Sequence, residues 1–98
     1  MEKESLIKRT LEDLARIYPT GLYEYLFKYN MDTYSQLLYI ESRIDQAFLS
    51  GTTAELKAIL REYWKIHILA IREFKKVDQS SLDIPKLREE MQEERTGA

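Results

Sequence analysis

The chain has 98 residues, a formal net charge of −2 and no cysteine. That length fits one domain around one core, and without cysteine there are no disulfides, zinc–thiolate sites, iron–sulfur clusters or thiol chemistry. An apolar share of 44% suits a globular chain, and the slight acidic excess weighs against bulk nucleic-acid binding. The opening MEKESLIKRT lacks the apolar run of a signal peptide, and the longest apolar run, Ile68 to Ile71, is far short of the ~20 residues of a membrane span. The expected location is the cytoplasm, with no membrane partner.

Helical periodicity runs through the whole chain and no strand pattern interrupts it. A first helix is predicted from about Lys3 to Tyr18, with Ile7, Leu11, Leu14 and Ile17 as its apolar stripe and Pro19 as its stop. A short second helix follows to about Tyr29, capped by Thr20 or Gly21. Leu22, Leu26 and Tyr29 share one of its faces, and Tyr23, Tyr25 and Phe27 point elsewhere. Asn30-Met31-Asp32 reads as a break, with Asp32 capping a third helix over about 33–49. Ser50-Gly51-Thr52-Thr53 is the clearest turn. Gly51 suits a left-handed helix end, and Thr52 with Glu55 makes a capping-box pattern.

The fourth helix is predicted over about 53–77, with a wide stripe running through Leu56, Ile59, Leu60, Tyr63, Ile66, His67, Ala70, Phe74 and Val77. A short amphipathic helix from near Pro85 carries Ile84, Leu87 and Met91. The expectation is an all-α fold, an irregular four-helix bundle built around an antiparallel αα-hairpin (33–49 and 53–77) with a short C-terminal helix. Residues 1–91 form the domain, and 92–98 form a frayed, charged tail.

Folding the hairpin at Gly51 sets Phe48 near Leu56, Ile44 near Leu60, Glu41 near Tyr63 and Leu37 near His67. Glu41, Tyr63 and the only histidine, His67, therefore fall close together. They read as a buried polar network whose members satisfy one another. An acid–base cluster is the alternative, but no nucleophile, oxyanion site or metal motif accompanies it. With scattered glycines and one histidine, no phosphate cradle, cofactor fingerprint or metal-ligand spacing is present, so no cofactor and no metal are expected.

Two surfaces remain. Tyr18, Tyr23, Tyr25, Tyr29, Tyr34 and Tyr39 crowd one short stretch, and aromatics on several sides of the second helix point to an interface at Tyr23, Tyr25, Phe27 and Met31. Along the fourth helix, Lys57, Arg61, Lys65, Arg72 and Lys76 form a basic stripe that could track an anion or nucleic acid, or could be a solvated face. The pattern resembles many short helical proteins of bacterial type, a likeness that carries no site residues with it. The expected function is a non-catalytic protein–protein interaction or assembly module, self-associating as a homodimer through the aromatic face. The alternatives are a small nucleic-acid-associated regulator and, third, an enzyme built on the Glu/Tyr/His cluster.

Overall fold

The computed structural model describes residues 1–96. Five helices follow in order: α1 (Glu2–Ile17), α2 (Leu22–Tyr29), α3 (Met31–Ser50), α4 (Thr53–Lys75) and, after a 3₁₀ turn at Gln79–Ser81, α5 (Ile84–Thr96). The fold is all-α. Among the described residues no helix is long and apolar enough to cross a membrane.

The α3–α4 hairpin is the backbone of the bundle, with α1 laid along α4 and α2 packed between α3, α4 and α5. Leu22, Leu26, Leu37, Leu56 and Phe74 fill the centre, joined by His67. The tip of Tyr63 meets Glu41 across the hairpin, so the predicted register there is the one observed. As expected of a helix that outruns its partner, α4 carries Phe74 up to α2, where its ring packs on Tyr25 at 5.4 Å.

The helix ends depart from the sequence reading in three places. Gly51 is extended (φ −93°, ψ 178°) and not left-handed. The C-terminal carbonyls of α3 are served instead by the Lys3 ammonium, which donates to the carbonyls of Ala47, Phe48 and Gly51. Space is tight at 51: a Cβ there would lie 3.0 Å from the Ala47 Cα and 3.2 Å from its carbonyl oxygen, and would push aside the Glu55 carboxylate. Asn30, not Asp32, caps α3. Its side-chain oxygen accepts from the Thr33 N–H at 3.2 Å, so one residue separates α2 from α3 where a three-residue break is predicted. The start of α2 is not among them: Gly21, one of the two predicted caps, occupies the N-cap with φ +90°, and no side chain caps the helix. The backbone of α5 is helical past Gln92 to Thr96, where the sequence suggests fraying; the last two residues of that tail, 97 and 98, lie outside the described residues.

Candidate functional site

Four polar side chains from three helices meet beneath α1. Tyr63, on α4, donates its hydroxyl to a Glu41 carboxylate oxygen on α3 at 2.8 Å. Tyr23, on α2, has its hydroxyl 3.0 Å from that same oxygen and 3.0 Å from His67 Nε2. His67 Nδ1 lies 2.8 Å from the Tyr63 carbonyl, which can only accept, so Nδ1 carries the proton. Burial pushes the imidazole pKa below its ordinary 6.5, outweighing the opposing pulls of that carbonyl and of the Glu41 charge. His67 is therefore neutral at pH 7, and its Nε2 is a bare acceptor. Burial likewise raises the hydroxyl pKa of Tyr23 and of Tyr63, so both stay protonated donors.

The proton count in this cluster is uneven. Tyr23 has one hydroxyl proton and two acceptors in range. His67 is 2% exposed, and among the described residues Tyr23 is the only donor placed to serve its Nε2. Glu41 is half-buried and can also be met from outside. With Tyr23 turned to His67, the protein supplies Glu41 with the Tyr63 proton alone, and its remaining lone pairs face outward.

Outward means a groove. Leu11, Leu14 and Ala15 of α1, with Tyr18 just past its end, wall a cavity of about 490 Å³ whose floor is Tyr23, Glu41, Tyr63 and His67. Leu11 and Ala15 also line a second stretch, of about 570 Å³, which continues between α1 and α3 past Ile7 and Phe48 and is edged by Glu4, Lys8, Glu12 and Asp45. The groove exists because α1 rests on α4 and stands off α3. Of the predicted α1 stripe only Leu14 is buried; Leu11 is 51% and Ile17 40% exposed. Lys8 lies 4.0 Å from Glu12, so the rim is acidic on balance.

The predicted site residues divide sharply. Glu41, Tyr63 and His67 are brought together. Tyr23 belongs with them, as the group that links His67 to Glu41, and not on an outer aromatic face. Tyr25 is buried, with its hydroxyl on Glu73 at 2.9 Å, and Phe27 packs edge-on against Tyr34 at 5.5 Å. Only Met31, 48% exposed, lies largely open among the four predicted interface residues. The rings are hidden because α2 is wrapped on several sides, including by α5 through Arg88–Glu24 and Lys28–Glu90, each at 3.6 Å.

Lys57, Arg61, Lys65, Arg72 and Lys76 all lie exposed on α4. None forms an ion pair with another described residue. Two acids of α4 are engaged elsewhere: Glu62 with Arg43 at 3.5 Å, and Glu73 with Tyr25 and Asn30. At about 100° per residue the five bases span roughly a quarter to a third of the helix circumference, and Tyr63 and His67 lie nearly opposite them. The basic stripe and the floor of the inner cavity, Tyr63 and His67, are thus on opposite sides of one helix, and the acidic rim lies further out, between α1 and α3. No group of three or more metal-ligating side chains converges among the described residues. Searches against protein-family models, curated proteins and solved structures find no match to this chain.

Proposed function

We propose that this chain is an interaction module that assembles head to tail with copies of itself, the basic stripe of one copy seated on the acidic-rimmed groove of the next. One observation carries the reading: complementary charge on two separate surfaces, the α1–α3 groove and the outer side of α4, with exposed apolar residues on both. The groove offers Ile7, Leu11 and Phe48 between Glu4, Glu12 and Asp45. The stripe offers Leu69, 63% exposed, among Lys65, Arg72 and Lys76. Apolar contact supplies affinity, and the charges set register and encounter rate. Because the two surfaces differ, the contact is heterologous and does not close after two copies unless a rotation closes it into a ring. This differs from the two-fold homodimer that the tyrosine content suggests.

The test uses two variants. Leu11→Arg blocks the groove, and Lys65→Glu with Arg72→Glu reverses the stripe; all three positions are exposed, so the fold is spared. Each variant alone is expected to be monomeric by native mass spectrometry, and an equimolar mixture should form a one-to-one dimer and stop there, since each partner has one working face left. A wild-type chain that stays monomeric, a wild-type assembly that stops at two copies, or a mixture that stays monomeric overturns the reading.

The unpaired stripe also favours a second reading, binding of a polyanion such as nucleic acid. A low-salt mobility shift with DNA or RNA that Leu11→Arg leaves intact and the stripe variant abolishes would select it.

A further inference from the structure

The inner end of the groove has a chemistry of its own. Among its lining residues Glu41 is the one ionised side chain, and no lysine or arginine lines it. The Glu41 carboxylate is anchored from below by Tyr63 and left short of a donor on its outer side, because the single proton of Tyr23 cannot serve both Glu41 and His67. A group that brings N–H bonds or positive charge to Glu41 makes up that shortfall and releases Tyr23 to His67.

The walls suit the same kind of group. Tyr18 and Tyr23 stand with ring centroids 5.7 Å apart and planes tilted by 40°. Tyr18 is held in place by its hydroxyl oxygen, which accepts from the Tyr23 backbone N–H at 3.3 Å. Aromatic faces beside a carboxylate attract a cation, more strongly where water is partly excluded. Above them Leu11, Leu14 and Ala15 provide an apolar strip about one helical turn long.

We propose that this pocket binds a small organic ammonium ion, its charged head on the Glu41 carboxylate beside the Tyr18 and Tyr23 rings and its apolar body along Leu11, Leu14 and Ala15. An anion is disfavoured by Glu41, and a purely apolar molecule would leave the carboxylate's outer lone pairs without a donor. The site is independent of the assembly reading, although a docked copy would cover its mouth.

Four probes of one chain length test the assignment: n-hexylammonium, hexyltrimethylammonium, hexanol and hexanoate. Each is titrated into the full chain and into the stripe-reversed variant, so that competition from a docked copy is measured separately. Binding is followed by NMR at the Tyr18, Tyr23 and His67 rings and by calorimetry. Both cations are expected to bind about tenfold more tightly than hexanol, with hexanoate weakest. Glu41→Gln, which keeps an acceptor for Tyr63, should remove the preference for cations while leaving hexanol unchanged. Leu11→Trp, which narrows the strip without touching the cluster, should weaken all the probes that bind. Hexanol or hexanoate binding as tightly as the cations, an unchanged cation affinity in Glu41→Gln, or ring signals that do not move overturns the proposal.

Discussion

His67 shows how a single buried group is made tolerable. Its Nδ1–H meets the Tyr63 carbonyl one turn back, its Nε2 meets the Tyr23 hydroxyl, and the ring packs edge-on against Tyr63 at 4.4 Å. The charged groups that face it reduce to Glu41, which pulls its pKa up, while the larger effect of burial pushes it down. The sign of the pH dependence follows. An unfolded chain takes up the proton as pH falls through about 6.5, whereas the folded chain does so only at lower pH. The stability due to neutral His67 is complete above that value and drains away below it, at no more than about 1.4 kcal/mol per pH unit, down to the folded-state pKa. Urea melts on either side of pH 6.5 should show this loss, and His67→Gln should flatten that part of the profile. An unchanged slope in the variant would show that other groups cause it. Glu41, Tyr63 and His67 were legible in the sequence because an antiparallel hairpin with a tight turn fixes which residues face each other. Tyr18 and Tyr23 were not, since their place depends on the angle at which α2 crosses α4, and hydrophobic period is silent on that angle.

Among the helices, junctions are where sequence reasoning both succeeds and fails. Thr52 caps α4 as read, its hydroxyl accepting from the Glu55 N–H at 3.1 Å, because that bond is local to four residues. Gly51 is extended where the local pattern predicts a left-handed residue, because the ammonium that satisfies the end of α3 comes from Lys3, a contact that no local pattern reveals. Gly21 is the junction with least tolerance. It has φ +90°, and a Cβ there would lie 2.5 Å from Ile84 Cδ1, where the start of α5 covers it. The two junctions therefore respond differently to alanine. Thr52→Ala should lose about 1 kcal/mol, the value of one cap. Gly21→Ala meets both a left-handed backbone and a steric clash, and should lose about 1–3 kcal/mol and loosen α5 from α2. Denaturant melts measure both losses, and equal losses would mean that the contact with Ile84 relaxes freely.

For the molecule as a whole, charge is segregated and not balanced: the outer face of α4 is basic, and the α1–α3 edge is acidic. The stripe could be read from the 3.6-residue period alone. The groove could not, because it arises from how far α1 stands from α3, a matter of packing between elements distant in sequence. Head-to-tail contact between such faces predicts a mean assembly mass that rises with protein concentration beyond two copies, without limit or up to the mass of a closed ring, and falls with salt. Light scattering over a dilution series would show this, and a plateau at twice the chain mass would refute it. One wall of the groove, α1, is pinned at its start by Lys3. Lys3 is the one half-buried lysine; the other seven are exposed. An amine-acylating reagent will consume those seven first and reach Lys3, whose ammonium is held by three carbonyls, most readily in molecules whose α1 has lifted away. Its slow modification is thus a clock for the opening of the wall, and each tick is irreversible, because an acylated Lys3 has lost the charge with which it holds the end of α3.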